Sequence, residues 1–215
     1  MEDWHDGPPK VRFSGTEALH LAVGVAVLTY CFAMLRAPLV ETPADLARRM
    51  TPEPIHLLAA FLAVTTGFVL HELAHKVVAQ RYGYWAEFRA QFPSLGLSLL
   101  MAVFTPLLVA APGAVLIQGR VTARESGIIS LVGPALNFVV ALAALPFARG
   151  VNPDAPVPLV FGMVALVNAV LAAFNLLPFG PLDGRKVLRW SKPVWAACFL
   201  ATGGLVVLAF LLVPA

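Results

Sequence analysis

Charge is scarce in this chain, and its scarcity excludes most soluble folds. Lys, Arg, Asp and Glu make up 13% of the 215 residues, against 59% hydrophobic ones. Soluble domains carry about 25% charged residues. With so little polar surface, the apolar excess must face lipid. Cysteine is nearly absent as well. Cys31 and Cys198 both fall inside apolar runs, which excludes a disulfide framework or a Cys-rich metal site. A continuous basic face is missing too: the net charge of +3 arises from short clusters between apolar runs. That pattern suits loops at an anionic membrane surface and not nucleic-acid binding. No polar block is large enough for a second domain, and no internal repeat is present. The first 17 residues are polar and the apolar run after them is too long for a cleavable signal peptide. The expectation is one membrane domain over residues 1–215, with the first span as an uncleaved insertion signal.

What is there is a series of apolar runs. A helix crossing the hydrocarbon core needs about 20 such residues. Six stretches qualify: Glu17–Leu35, Ile55–Gln80, Leu95–Ile117, Gly127–Phe147, Pro158–Phe179 and Pro193–Val213. The expected fold is an all-α polytopic membrane protein of five to six transmembrane helices. Residues 55–184 form its core, with helices 17–35 and 193–213 at the periphery. The third run stands apart. It begins after Pro93, contains Gly96, Pro106, Pro112 and Gly113, and ends in GAVLI, which suits a strand. Proline inside a helix removes a hydrogen bond and clashes with the preceding turn. Residues 93–117 are therefore expected to re-enter the membrane instead of spanning it.

Polar chemistry intrudes into the second run as TTGFVLHELAHKVVAQRYG, residues 65–83. On a helix, residues four apart lie on one face. His71 and His75 can then offer their imidazoles to one Zn²⁺, with Glu72 beside it as general base. Ionisable groups in a membrane segment cost about 2.5 to 3.5 kcal/mol each on insertion scales, so chance placement is disfavoured. His5 lies in the polar tail, and His20 and His56 sit near span starts. A third ligand has one well-placed candidate, Asp183 in FNLLPFGPLDG, where an apolar run breaks at Pro178, Gly180 and Pro181. Composition alone leaves Asp183 balanced between ligand and surface turn. The lack of another carboxylate so placed favours the ligand.

His71 and His75 lie toward the end of run two, and Asp183 lies just past the end of run five. To meet, these spans must run the same way, which requires an odd number of crossings between them. A re-entrant third run leaves one. Basic residues choose the same topology. With the N-terminus inside, only Arg36, Arg48, Arg49 and Arg149 fall outside, a clear positive-inside pattern. The metal site then lies toward the cytoplasm.

HELAH, GPALN (Gly133–Asn137) and NLLPFGPLDG (Asn175–Gly184), in that order, resemble the site-2 protease family of intramembrane zinc metalloproteases. The likeness is to its short archaeal and bacterial type, which has no PDZ or CBS module. It covers roughly Ile55 to Gly184 and includes APGAV (Ala111–Val115). The resemblance implies that His71, His75 and Asp183 bind one catalytic zinc and that Glu72 is the acid/base. It also implies that Asn175 helps hold substrate or oxyanion, and that the substrate is a transmembrane protein in a prokaryotic membrane. In this family an extended substrate pairs with a strand edge, for which Gly113, Ala114 and Val115 are the candidates. The rival class is a transporter or ion pathway with intramembrane His and Asp. It has no need for a glutamate between two histidines.

Overall fold

The computed structural model describes residues 11–37, 39–105, 112–149 and 155–213. Five helices in it are long and apolar enough to cross a membrane. The first is α1 (Gly15–Met34), begun by Ser14, whose hydroxyl accepts the Glu17 N–H. After the short α2 (Pro43–Met50), the second span joins α3 (Pro54–Val64) to α4 (Leu70–Arg81) through a π-helical turn at Thr65–Val69. The third is α6 (Ala123–Ala144), continued by a 3-10 turn to Phe147. Thr122 and Glu125 form a capping box at its start, satisfying two amides that would otherwise be orphaned. The others are α7 (Pro156–Asn175) and α9 (Lys192–Leu212), both with proline in the first turn, where no amide partner is lost. The chain is a polytopic, mainly helical membrane protein.

The third apolar run is divided, as its prolines and glycines predict. It becomes α5 (Phe92–Phe104), at 13 residues too short to span, and strand β2 (Gly113–Gln118). Pro106 and Ala111, also read as part of this break, lie outside the described residues, as do His5 and Lys10 in the N-terminal tail. No spanning helix separates α4 from α6 among the described residues. The strand character of GAVLI was legible in the sequence; its partner was not. Trp85–Ala90, within what reads as a polar connector, forms β1 and pairs antiparallel with β2. The segment from Arg185 to Trp190, which also reads as a charged connector, is helical as part of α8 (Asp183–Trp190).

Helix α6 lies at the centre, packed on α4, α7 and α8, while α7 also packs on α3 and α9. The contact layer is built from small residues, including Ala63, Ala141, Ala144, Ala165, Ala169 and Ala209. Small side chains let helices approach closely where no hydrophobic effect drives them together. Large apolar side chains point the other way: Leu200 and Leu211 on α9 are 73% and 76% exposed. Polar groups inside the bundle are bonded across helices. Asn137 Nδ2 donates to the Gly67 carbonyl at 3.0 Å, within the π-helical turn. Asn168 Nδ2 donates to Thr66 Oγ1, also at 3.0 Å.

A second polar cluster binds α1 to α4 and β1. Lys76 and Glu17 form a fully buried ion pair, and Glu17 Oε1 accepts the Phe88 N–H at 3.0 Å. Ser14 bonds to Glu87, and the Lys76 ammonium stands 3.9 Å from the centre of the Phe13 ring. Helix α1 is thereby anchored to the helix that carries the histidines.

Candidate metal centre

Helix α4 presents His71 and His75 on one face, one turn apart, with ring centres 4.6 Å apart. Asp183, the first residue of α8, reaches them across the end of α7. Its Oδ2 lies 3.4 Å from His71 Nε2 and 3.1 Å from His75 Nε2. All three residues are buried, at 4%, 7% and 9% exposure. Residues 71 and 183 meet because the chain turns sharply after Asn175, with Gly180 at φ 61° supplying a left-handed conformation. Gly184 then lets α8 start hard against α7: a β-carbon there would stand 2.6 Å from the Leu177 carbonyl oxygen.

These residues fit a metal ion. Donor atoms around a tetrahedral zinc lie about 3.3 Å apart, given bond lengths of about 2.0–2.2 Å. The two histidine–aspartate spacings, 3.4 and 3.1 Å, match that. His75 Nδ1 lies 2.6 Å from the Ile129 carbonyl, which fixes Nδ1 as the protonated nitrogen and leaves the Nε2 lone pair facing Asp183. A deprotonated carboxylate and a neutral imidazole are the forms that bind zinc. Gly133 makes room for the group. A β-carbon there would stand 2.5 Å from His75 Nε2 and 2.7 Å from His71 Cε1.

The remaining residues expected from the sequence border the same cavity, of about 430 Å³. Glu72 Oε2 accepts the Val115 main-chain N–H at 3.1 Å, which links α4 to β2. Gly113 and Ala114 line the cavity beside Val115, and Asn175 lines it as well. Asn175 Nδ2 donates to the Leu171 carbonyl of its own helix at 3.0 Å. Asn168 is not part of the lining; it belongs to the buried contact with Thr66. Sequence reasoning placed Lys186 only in a charged loop, Arg185–Lys192, at the mouth of the site; it lines the cavity, and the contact of its Nζ with Asp183 Oδ1 at 3.6 Å was missed. Its signal was the spacing of three from Asp183, visible only once that stretch is known to be helical. The hold of the Ile129 carbonyl on His75 leaves no trace in the sequence, because every residue carries a carbonyl.

Fold and site together define the class: a polytopic membrane protein with two histidines and one aspartate grouped so that they could hold a metal ion, and an adjacent glutamate. Comparison with known proteins gives the family. The chain is 31% identical over 186 residues to "Putative zinc metalloprotease MJ0611" of Methanocaldococcus jannaschii, covering 86% of this chain and 90% of that protein. It is 27% identical over 131 residues to "Zinc metalloprotease MJ0392" of the same organism, covering 60% of this chain but only 33% of that longer protein. No family model matches the chain. No solved structure matches it. The chain belongs to the site-2 protease family of zinc metalloproteases, as its motifs suggested. Its cofactor is zinc, and His71, His75 and Asp183 form a candidate site for it.

Proposed function

We propose that this protein is an intramembrane endopeptidase, hydrolysing peptide bonds within or beside transmembrane segments of membrane-protein substrates. The observation that carries this reading is that Glu72, the candidate zinc ligands and the edge of β2, which no strand covers among the described residues, border one cavity among spanning helices. Zinc, when bound, supplies Lewis acidity that polarises the scissile carbonyl and acidifies water toward a pKa of ~7. The chain's residues do the rest. Glu72 takes the proton of the attacking water and passes it to the leaving amide nitrogen. His71, His75 and Asp183 hold the metal, and the Ile129 carbonyl keeps His75 oriented. Asn175, which also lines the cavity, holds the substrate or its developing oxyanion.

A helical peptide bond is shielded by its own backbone, so the substrate must unwind before it reacts. The edge of β2 at Gly113, Ala114 and Val115 receives the unwound segment by strand addition. The site faces the cytoplasm, as the distribution of Lys and Arg supports. Lys186 at the cavity wall and the basic residues of α8 then border the route by which water enters.

Purified protein assayed on a transmembrane test substrate checks this reading. In Glu72→Gln, zinc content is expected to match the wild type while cleavage falls by about 10²–10⁴-fold, the usual worth of a general base. Cleavage that persists at the wild-type rate rules the proposal out.

A further inference from the structure

The edge of β2 is already in use. Register pairs Phe88 with Val115, Ala90 with Gly113 and Ala86 with Ile117. In an antiparallel ladder, alternate pairs turn their main-chain groups away from each other. These three pairs are of that kind. Phe88 N–H donates to Glu17 Oε1 at 3.0 Å and Ala90 N–H to His20 Nδ1 at 3.2 Å, both away from β2. The Ala86 carbonyl accepts from Gln80 Nε2 at 3.1 Å. The outer edge of β1 is therefore covered by α1 and by Gln80. The outer edge of β2 is not covered by a strand: among the described residues the sheet has two strands only. Gly113, Val115 and Ile117 turn toward the cavity, and one of their amides has a partner there. Val115 N–H donates to Glu72 Oε2 at 3.1 Å.

We infer that the Val115 main-chain N–H is the positioning group for Glu72, so that the strand receiving the substrate also aims the base. Glutamate has three rotatable side-chain bonds, and nothing about α4 alone orients its carboxylate. The amide holds Oε2 from the β2 side. Among the described residues Oε1 has no hydrogen-bond partner, which leaves it as the oxygen that takes the proton. A hydrogen bond to a charged acceptor is strong enough to select one rotamer. The edge then divides its donors and acceptors. Val115 N–H serves Glu72, and the Val115 carbonyl with the main-chain groups of Gly113 and Ile117 remains for an incoming strand. The inference rests on Glu72 being the base of the proposed peptidase.

Proline substitution tests it, because proline removes the N–H and is tolerated on strand edges. Val115→Pro is expected to bind one zinc per chain and to lose roughly 10–100-fold in kcat, in line with a lost charge-assisted hydrogen bond. Val115→Ala, which shortens the side chain but retains the N–H, should keep at least about tenfold more kcat than Val115→Pro. Ile117→Pro removes an edge amide that does not touch Glu72, and its loss should fall on KM instead of kcat. Three results would overturn the inference: a wild-type kcat in Val115→Pro, an equal loss in Val115→Ala, or an equal loss of kcat in Ile117→Pro. If Val115→Pro loses its zinc, an ester linkage at position 115 removes the N–H alone and is judged by the same criteria. Glu72→Gln separates the two claims. If it cleaves like the wild type, the peptidase reading fails; if it is inactive while the position-115 variants are not, only this inference fails.

Discussion

Helix α4 carries two buried ionic clusters one residue apart, and they have opposite characters. His75 belongs to the triad with His71 and Asp183, and Lys76 belongs to the pair with Glu17. Both put charge into an apolar helix, which is expensive in either case. The Lys76 cluster is closed. Its ammonium meets a carboxylate and a ring face, and that carboxylate also takes a backbone N–H. The triad is open. Its donor atoms converge on a shared point at the wall of a cavity, next to a glutamate that is tethered but only half engaged. A closed buried pair holds helices together, and an open one has capacity left for a ligand. Burial and charge alone do not distinguish them; the arrangement of unused donor and acceptor positions does.

Breaking each cluster should therefore produce different failures. The largest effect is expected from His75→Ala. Activity should fall by more than the roughly 10–100-fold that accompanies loss of a ligand's supporting partner. Zinc content by atomic absorption should fall with it, while the helical circular dichroism signal stays.

Lys76→Met is expected to do the reverse. Glu17 would be left buried and unpaired, costing about 3–5 kcal/mol of stability. Thermal unfolding in detergent measures this as a lowered Tm, with zinc bound normally below the transition. The double change Glu17→Gln with Lys76→Met removes the lone charge yet keeps an acceptor for Phe88 N–H, and should recover most of the loss. A Lys76→Met protein that keeps its Tm but loses its metal would mean that the two clusters are one site.

Gly133→Ala sharpens the contrast with the smallest change. The added methyl would crowd both imidazoles, at 2.5 Å from His75 Nε2 and 2.7 Å from His71 Cε1. Zinc affinity, measured by chelator competition, should weaken by roughly 10–100-fold, as for other disturbances around a ligand. Stability should change little beside that of Lys76→Met.

The legibility of this protein in its sequence followed the type of interaction. The five spans were readable within a few residues, because hydrophobic length is a property of contiguous chain. His71, Glu72 and His75 were readable because helix periodicity alone places them together. Asp183 was reachable by elimination, and its meeting with the histidines at 3.1 and 3.4 Å bears out the odd number of crossings between their helices. Strand β1 was not readable. WAEFRA sits in a polar connector, and a strand so short acquires meaning only from its partner. Nor was the amphipathic helix α8, whose basic residues read as a loop. Glu17 and Lys76 lie 59 positions apart, and nothing local to either announces the other.

By itself, the sequence determined that this chain must live in lipid, how many times it can cross, and which side chains can ligate a metal. Those follow from composition, run length and helical spacing, which act along the chain. Only the tertiary structure decided which charges close on one another and which stay open, and that a backbone amide of β2 steadies Glu72. Those outcomes depend on contacts between distant segments, and many of them are made by main-chain atoms that are the same in every residue.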